Sequence, residues 1–500
     1  HTLEDLAAFG QKRVGTDGGA KAGSYVAERF RKLGLVPVEE SFSFPRFDLV
    51  SSSLEVRLDA AGALEPIGHD VFEASGSGHA DADLVFVGTA QKDELAGKDL
   101  TGKIALVERN RFFHRSTQLL NVQKAGAVAM LYLSVAPDNL RQVGSVRRGW
   151  EAQVAIPSVT IGAVDGARLK AAVVAGNTVH AVIDVVASVT PATGKNIVAR
   201  IEGSDPEKRE IVIGAHYDTW FIGSSDNGGG VAALLALAER RLKRDKPAQT
   251  IVFVAYDGEE VALYGGYDFL RRHRVLAPEK ITAVLNLETP SAAGSPTLGL
   301  AHSTIPGFDE ILRDADLNAL YSFYVGMKTV PGLFGGIIPT DIQGIYRSGV
   351  PTATTAVDSP YYHTTADTPD KVDAPFLARA TDSFDRAVDG MLEVGPTCCS
   401  EADIDLWKAT VTASTTGGSV SVTTTVTDSA GGAQASTKVE ATLLYDDFTL
   451  ASAVAGTTDA NGTVTITFPV DATPAGAQKR WVHVTAGVDF PLVEQVVAVP

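Results

Sequence analysis

The fold is decided by residues 210–243, which read EIVIGAHYDTWFIGSSDNGGGVAALLALAERRLK. The segment begins with an apolar run that predicts a buried β-strand. It continues through a loop with one histidine, two aspartates and several glycines, and ends with the apolar spacing of an amphipathic helix. Two further runs, TIVFVAYDGEE at 250–260 and ITAVLNLE at 281–288, predict two more strands. Strands that alternate with helices are typical of a mostly parallel, mixed α/β sheet with helices on both faces, which we predict for residues 192–397.

Histidine and acidic side chains follow each of these three strands. They are His216, Asp218 and Asp226 after the first strand, Glu259 and Glu260 after the second, and Glu288 after the third, with His363 in the later loop YYHTTADTPD. The carboxyl ends of parallel strands lie along one edge of an open sheet, so we expect these groups to meet in one crevice. Several carboxylates gathered around two imidazoles repel one another or stay protonated unless a cation binds the group. This mixture of nitrogen and oxygen ligands favours zinc, and a pair of ions more than one.

Each of these residues also has a purely structural interpretation. Asp226 before Asn-Gly is compatible with a turn, and the pair Glu259–Glu260 is compatible with the first turn of a helix, where the helix dipole favours acidic residues. Only the combination of these residues at strand ends, in this order, indicates a functional site.

Length and composition limit the class of protein. Five hundred residues exceed one hydrophobic core, and a hydrophobic content of 45% suffices for about two to four soluble domains. The formal charge of -17, without a basic patch, argues against a nucleic-acid partner.

The sequence contains no apolar run long enough to predict a membrane span. Because the chain starts at His1, we expect a processed precursor and a secreted or extracytoplasmic location. Cys398 and Cys399 are adjacent and cannot join distant segments.

Two flanking segments depart from the α/β pattern. Residues 51–191 alternate short strands and turns, and their GKIALV, KAGAVAMLY and IPSVTI resemble parts of the protease-associated domain, which implies a lid or a spacer. Residues 400–500 carry period-two runs such as SVSVTTTVT, which predict an antiparallel β-sandwich, and TTDANGTVTITF resembles a hairpin of bacterial immunoglobulin-like domains. We therefore predict an α/β domain from residues 1–50 and 192–397, a small β-rich inserted domain at 51–191, and an all-β sandwich at 400–500.

The α/β segment resembles the catalytic domain of the M28 family of zinc peptidases. The resemblance rests on HYD, SDNGGG, DGEE, LNLE and YYHTTADTPD, which follow the order of the family's motifs. It implies the zinc exopeptidase fold and two zinc ions. The implied ligands are Asp226, bridging both ions, His216 and Glu288 at one ion, and Glu260 and His363 at the other. Asp218 would accept a hydrogen bond from the His216 ring and hold its tautomer.

The same resemblance implies two catalytic groups and shows one departure. Glu259 would take a proton from the attacking water, and the hydroxyl of Tyr362 would help to stabilise the oxyanion. Bacterial aminopeptidases of the family usually carry aspartate where this chain has Glu288. We therefore expect an altered geometry or metal specificity at that position.

The resemblance leaves several functions open. The leading one is a secreted aminopeptidase that removes N-terminal residues from peptides. The alternatives are a glutamate-carboxypeptidase-like enzyme, a glutaminyl cyclase, which shares the fold but uses a single zinc ion, and a receptor-like protein without activity. Retention of every ligand and of Glu259 favours an enzyme. The oligomeric state is not indicated by the sequence.

Two expectations concern the surroundings of the site. The loop 318–336 is rich in tyrosine and phenylalanine, which favours an apolar pocket and predicts a preference for apolar or aromatic P1 residues. No candidate ligand lies beyond residue 400, so the sandwich is expected to be dispensable for chemistry.

Overall fold

One large sheet and a two-sheet sandwich make up the molecule. The computed structural model describes residues 1–207, 209–276, 280–394, 406–416, 418–469 and 479–500, so Cys398 and Cys399 lie outside the described residues. Fourteen of the described strands form the large sheet, and seven form the two smaller sheets. Among the described helices, none combines the length and the apolar composition needed to cross a membrane.

The N-terminal part supplies two helices and one long strand. These are α1 (Thr2–Ala7), α2 (Asp17–Lys32) and β1 (Val38–Arg57). β1 pairs antiparallel with β8 (His180–Ile201), with one irregularity between Leu49 and Ser51. The predicted domain boundaries near residues 50 and 191 fall within these two strands. The β1–β8 ribbon therefore continues from the core of the sheet into the insert.

The insert between the ribbon strands contains the outer part of the large sheet and short helices. Its elements are β2 (Glu65–Pro66), β3 (His69–Val71), β4 (Gly78–Phe86), α3 (Lys92–Leu95), β5 (Ile104–Glu108), α4 (Arg115–Lys124), β6 (Ala129–Leu133), β7 (Ser158–Ile161) and α5 (Ala163–Val174). Strands β4 to β7 are parallel neighbours, and β4 also pairs antiparallel with β8. Alternate residues of β5 and β6 enter two different apolar clusters, so both faces of this part are covered.

The residues after β8 form the central part of the sheet. Its strands are β9 (Arg209–His216), β10 (Thr250–Tyr256), β11 (Lys280–Asn286), β12 (Leu298–His302), β13 (Phe323–Gly326) and β14 (Thr352–Val357). Its helices are α6 (Gly229–Arg241), α7 (Tyr264–Leu270), α8 (Pro306–Asp314), α9 (Leu317–Leu320), α10 (Val330–Leu333), α11 (Gln343–Arg347) and α12 (Ala374–Val394). The strand order is β13-β12-β14-β11-β9-β10-β8, and β14, β11, β9 and β10 run parallel.

Helices cover both faces of this central part. Successive strand residues point to opposite faces. Ile211 and Ile213 accordingly enter one apolar cluster with residues of α2, α6 and α12, whereas Val212 enters another with residues of α7 and α11. The predicted mostly parallel, mixed sheet with helices on both faces is confirmed.

The C-terminal residues form the predicted all-β sandwich. Its strands are β15 (Lys408–Thr416), β16 (Ser419–Thr427), β17 (Lys438–Tyr445), β18 (Leu450–Thr457), β19 (Thr463–Pro469), β20 (Arg480–Gly487) and β21 (Pro491–Ala498). They pair as a three-stranded sheet, β15-β16-β19, and a four-stranded sheet, β18-β17-β20-β21. Apolar residues of both sheets share one core.

The sandwich is packed into the rest of the molecule. Phe448 belongs to the same apolar cluster as Trp150 of the insert and Tyr264 of α7. Glu494 of β21 forms an ion pair with Arg347 at the end of α11, and both side chains are only 2% exposed. These contacts indicate that the sandwich contributes to stability, and they leave its expected dispensability for chemistry as a prediction.

We expect the junction between the sandwich and α11 to weaken in acid. Burial alone would raise the pKa of Glu494, but the charge of Arg347 and the hydrogen bond from His483 lower it to about 2. A depressed folded pKa stabilises the protein above the unfolded pKa of about 4.3, and this contribution is lost as the pH falls toward about 2. Melting temperatures recorded between pH 7 and pH 3 measure this stabilising contribution of Glu494.

The Arg347→Met/Glu494→Gln double variant is the control for this acid effect, because it lacks the titrating carboxyl group. The melting temperature of the wild type should fall more steeply with acid than that of the double variant. Metal loss at low pH affects both proteins and therefore cancels in the comparison. Parallel acid profiles for the two proteins would contradict the prediction.

Candidate metal centre

The sequence-predicted site residues meet because neighbouring parallel strands end at one edge of the sheet. His216, the last residue of β9, lies opposite Tyr256, the last residue of β10. β11 ends at Asn286, opposite Gly214. The chain beyond each strand therefore starts from the same edge. The structure brings together His216, Asp226, Glu260, Glu288 and His363, with Asp218, Glu259 and Tyr362 beside them.

Gly230 explains why glycines follow Asp226. A Cβ at Gly230 would lie 2.3 Å from Asn227 Oδ1 and 2.3 Å from the carbonyl oxygen of Leu287, so only glycine allows α6 to start this close to the end of β11. Asn227 joins the two segments, because its amide donates to the Leu287 carbonyl at 2.9 Å and its oxygen accepts from the Gly230 N–H at 3.1 Å. The loop that carries Asp226 is thereby held against the end of β11.

The side chains form two clusters that share Asp226. In the first, His216 Nε2 lies 3.2 Å from Asp226 Oδ1 and 3.2 Å from Glu288 Oε1. In the second, His363 Nε2 lies 3.0 Å from Asp226 Oδ2 and 2.9 Å from Glu260 Oε2. Each cluster therefore offers one imidazole nitrogen and two carboxylate oxygens within 4.8 Å of one another.

Several of these atoms are close together without forming hydrogen bonds. Of the atoms just described, Asp226 Oδ1 and His363 Nε2 are buried and have no hydrogen-bond partner, and the same holds for the other oxygen of Glu260, Oε1. Buried polar atoms normally have one, and an exception needs an explanation such as a bound ion. Nitrogen and oxygen donors that converge in this way match the ligands of zinc. The residues present therefore fit a metal ion in each cluster.

The charges of the two clusters perturb one another. Burial raises the pKa of Glu260 to about 7, although the nearby His363 opposes the shift. Burial by itself would lower the pKa of His216, but the charge of Glu288 and the hydrogen bond to its carboxylate raise it well above the usual range. The site thus favours positive charge among its carboxylates. A divalent cation meets that requirement.

Asp218 supports the site through atoms other than those expected. The Nδ1 of His216 lies 2.9 Å from the main-chain carbonyl oxygen of Asp218, whereas the nearer carboxylate oxygen is 3.7 Å away. The carboxylate instead accepts hydrogen bonds from the backbone N–H groups of Glu259 and Glu260, at 3.1 and 3.3 Å. The expected hydrogen bond to the carboxylate is therefore replaced by one to the carbonyl, because the turn after β10 occupies the carboxylate.

Glu259 occupies a different environment from Glu260. Gly258, with φ of 77°, turns the chain after β10 so that the two carboxylates diverge. Glu260 is buried within the second cluster, whereas Glu259 is partly exposed and belongs to neither cluster of the described residues. Burial raises the pKa of Glu259 well above its usual range. Glu259 is therefore a carboxyl group beside the metal ligands that is suited to exchange a proton.

The insert orients the loop of Tyr362 and His363, which the sequence did not suggest. His363 Nδ1 lies 3.0 Å from the carbonyl oxygen of Val143, and the Val143 N–H donates to the His363 carbonyl at 3.1 Å. The side-chain amide of Gln142 donates to the Tyr362 carbonyl at 3.1 Å. The rings of Tyr362 and His363 stack with centroids 3.6 Å apart. One segment of the insert thus sets the direction of a candidate ligand.

Asp367 also supports the site, although the sequence did not lead us to predict this role. Its carboxylate accepts hydrogen bonds from the Ser225 N–H at 2.9 Å, the Ser225 hydroxyl at 2.6 Å and the Asp226 N–H at 3.1 Å. It therefore ties the His363 loop to the loop of the shared aspartate. Its place in YYHTTADTPD, four residues after His363, was the available signal.

Two cavities flank the candidate centre. We call the first the apolar cavity; its volume is about 180 Å³, and its lining includes Glu288, Tyr362, Phe112, Phe323, Val325, Leu333 and Phe334. We call the second the junction cavity; its volume is about 270 Å³, and its lining includes Glu259, Glu260, Tyr362, Trp150, Glu440, Thr442 and Thr485. The loop 318–336 thus lines the apolar cavity, as the sequence indicated. The sandwich lines the junction cavity, which the sequence did not indicate.

Comparisons with known proteins agree with the segments identified from the sequence. Residues 196–388 match the family model described as Peptidase family M28, and residues 75–169 match the PA domain. These matches confirm the resemblances predicted from the motifs. A glutamate carboxypeptidase 2 homolog of Caenorhabditis elegans is 24% identical over 375 residues, which are 55% of this chain and 49% of the relative. The chain spans about half or less of the length of the first curated relatives it matches.

Solved structures support the fold. A zinc aminopeptidase from Bacillus subtilis superposes with a TM-score of 0.59 at 22% identity, over 81% of this chain and 96% of that one. A peptidase M28 precursor from Shewanella amazonensis superposes with a TM-score of 0.63 at 22% identity, over 77% of this chain and 90% of that one. At this identity the likeness concerns the fold alone.

Proposed function

We propose that the protein is a two-zinc exopeptidase that removes N-terminal residues from peptides, starting from the match of residues 196–388 to peptidase family M28. One observation carries the proposal: Asp226 offers its two oxygens to two separate ligand clusters. His216 and Glu288 would complete one zinc site, and Glu260 and His363 the other. Bound zinc supplies Lewis-acid chemistry and brings the pKa of its water toward neutrality.

The residues around the two clusters perform the proton transfers. Glu259 accepts a proton from the attacking water and passes it to the leaving amine. The Tyr362 hydroxyl donates a hydrogen bond to the substrate carbonyl oxygen as charge develops on it. Asp218 holds the turn of Glu259 by accepting its backbone N–H. The stacked ring of His363 keeps Tyr362 in place.

Metal analysis and a substrate panel test this function together. We expect two zinc ions per chain and cleavage of leucine 4-nitroanilide and of Leu-Gly, with no cleavage of their N-acetylated forms. Cleavage of N-acetyl-Leu-Glu with release of glutamate would indicate a carboxypeptidase instead. Cyclisation of an N-terminal glutamine with one zinc ion would indicate a glutaminyl cyclase. Zinc without turnover of any substrate would indicate a receptor-like protein.

We expect a preference for apolar terminal residues, because the apolar cavity lies beside Glu288 and Tyr362. Lysine or glutamate side chains would lose their hydration there without a partner. Leucine and phenylalanine 4-nitroanilides should therefore exceed the lysine and glutamate substrates in kcat/KM by about tenfold or more. The panel is measured at one pH with the zinc-loaded protein.

Phe334→Ala checks that this preference arises in the apolar cavity. Removing the ring should lower the ratio of kcat/KM for the phenylalanine 4-nitroanilide to kcat/KM for the lysine substrate, because an apolar wall of the cavity is lost. Phe376→Ala is not a suitable control because Phe376 is buried in the core. Val488→Ala, at an exposed position outside both cavities, should leave the ratio unchanged. Equal rates for all four substrates would contradict the prediction.

We further propose distinct roles for the parts of the chain. Residues 1–50 and 192–397 would carry the chemistry, the insert 51–191 would orient the His363 loop and close the apolar cavity, and the sandwich would complete the junction cavity. The location outside the cytoplasm remains a prediction, which fractionation of producing cells tests.

A further inference from the structure

The four-stranded sheet of the sandwich presents a polar face to the rest of the molecule. Val439, Ala441 and Leu443 of β17 point into the sandwich core. The residues between them point the other way, because side chains alternate along a strand. Two rows of cross-strand neighbours therefore share this outward face, Glu440 with Thr485 and Glu494, and Thr442 with His483 and Val496.

Buried polar contacts fix this face against the catalytic part. The Tyr267 hydroxyl on α7 donates to Glu494 Oε2 at 2.8 Å, and Arg347 pairs with the other oxygen of the same carboxylate. The indole N–H of Trp150 in the insert lies 3.1 Å from His483 Nδ1. α7 begins four residues after Glu260, so the sandwich is held at a defined position relative to Glu259 and Glu260.

Aromatic packing reinforces the same junction. The ring of Trp150 stacks on Phe448 of the sandwich, with centroids 5.5 Å apart and an interplanar angle of 11°. Phe448 also packs against Tyr264, the first residue of α7, at 5.0 Å. Three segments that are far apart in sequence thus share one buried contact. The sandwich is thereby held in place as a wall of the junction cavity.

The junction cavity lies on the leaving side of the proposed reaction. Glu259 passes a proton to the leaving amine, so that amine must lie beside Glu259 and the peptide that follows it must enter the cavity that Glu259 lines. The apolar cavity borders Glu288 and does not include Glu259, which suits it to the terminal side chain. The wall of the junction cavity includes Glu440, Thr442 and Thr485 of the sandwich.

We infer that the C-terminal sandwich forms the end wall of the leaving-peptide subsite and restricts the enzyme to short peptides. The inference rests on the proposed exopeptidase function. The cavity of about 270 Å³ is near the lower limit of typical ligand pockets, about 300 Å³. It accommodates the first residues after the scissile bond, and a longer chain meets the outward face of β17 and β20.

A peptide-length series tests the inference with the full, zinc-loaded chain. The substrates are Leu-Gly, Leu-Gly-Gly and a decapeptide with the same three N-terminal residues. We expect kcat/KM for the decapeptide to be lower than for the tripeptide by about tenfold or more, since a chain that cannot be accommodated loses binding energy at that scale. Equal values for all lengths would overturn the inference.

Variants of the wall should move this dependence in opposite directions. Thr442→Trp fills the cavity and should lower the rate for Leu-Gly-Gly relative to Leu-Gly, whereas Glu440→Ala shortens a wall side chain and should raise the rate for the decapeptide relative to the tripeptide. Thr412→Trp is the matched control, because Thr412 is exposed on the other sheet of the sandwich. It should change neither ratio. Thr485→Trp replaces Thr442→Trp if that variant does not fold.

The outcomes separate this inference from the proposed function. If the wild type cleaves no N-terminal residue from any peptide, the exopeptidase proposal fails and the inference fails with it. If it cleaves all lengths equally, or if the wall variants leave the length dependence unchanged, the exopeptidase stands and the wall does not. A length dependence that shifts in opposite directions in the two wall variants, with Thr412→Trp unchanged, supports both.

Discussion

Glu259→Gln is expected to lower turnover of leucine 4-nitroanilide by about 10² to 10⁴ while zinc content stays the same. The glutamine is nearly the same size and keeps the turn that Asp218 holds through the backbone N–H of residue 259. It removes only the group that we propose accepts and returns the proton. Glu259 belongs to neither ligand cluster of the described residues, so we expect the substitution to leave zinc binding unchanged. Zinc stoichiometry and kcat are measured on the same preparation.

Glu260→Gln is the matched comparison for this experiment. Its Oε2 lies 2.9 Å from His363 Nε2 within the second cluster, so the substitution removes the candidate anionic ligand that Glu260 offers to that cluster. We expect zinc content and activity to fall together, with partial recovery in excess zinc. A Glu259→Gln protein that loses zinc, or a Glu260→Gln protein that keeps both ions, would reverse the assignment of the two adjacent carboxylates.

Glu494→Ala is expected to lower the free energy of unfolding by about 3 to 5 kcal/mol, because it leaves the buried guanidinium of Arg347 without its carboxylate. Both side chains are 2% exposed, so water cannot replace the lost partner. The same substitution removes the acceptor of the Tyr267 hydroxyl. Chemical denaturation of the zinc-loaded protein measures the loss.

Two further variants serve as comparisons for the loss of unfolding free energy in Glu494→Ala. Glu239→Ala removes a partner from the exposed pair with Lys243, where the side chains are 50% and 70% exposed, and should cost about 1 kcal/mol or less. Arg347→Met/Glu494→Gln removes the charge together with its partner and keeps an acceptor for Tyr267, so it should recover much of the stability. If Glu494→Ala is no more destabilised than Glu239→Ala, the buried pair does not hold the sandwich in place.

The sequence predicted the parts of the site that depend on strand order. Side chains that follow successive parallel strands converge at one edge of a sheet, so His216, Asp226, Glu259, Glu260 and Glu288 could be placed near one another from the apolar runs alone. The resemblance to the M28 family added the individual roles, such as the shared position of Asp226 and the choice of Glu260 rather than Glu259 as a ligand. Strand order could not predict that the His216 ring contacts the main-chain carbonyl of Asp218 and not its carboxylate. The backbone N–H of Glu259, in the turn after β10, binds that carboxylate instead.

Contacts between distant segments were not predictable in the same way. Val143 holds the His363 ring and Trp150 meets His483, yet nothing in the periodicity of the insert or the sandwich marks these residues as partners. Period-two patterns define which strand face is buried, and they do not define what covers the opposite face. For this reason the sequence did not indicate that the sandwich packs against α7, α11 and the insert, and its dispensability for chemistry stays a prediction.

The β1–β8 ribbon limits how this architecture can be recombined. Domain insertions are tolerated mainly at exposed loop tips, where few backbone hydrogen bonds cross into the host. Here both crossings are made by one antiparallel pair whose register extends from Val38 opposite Val198 to Arg57 opposite His180. A shift of one residue in that register would turn every side chain of the ribbon to the other face. A chimera should therefore inherit both strands from a single parent, and its graft points belong at the turns beyond them.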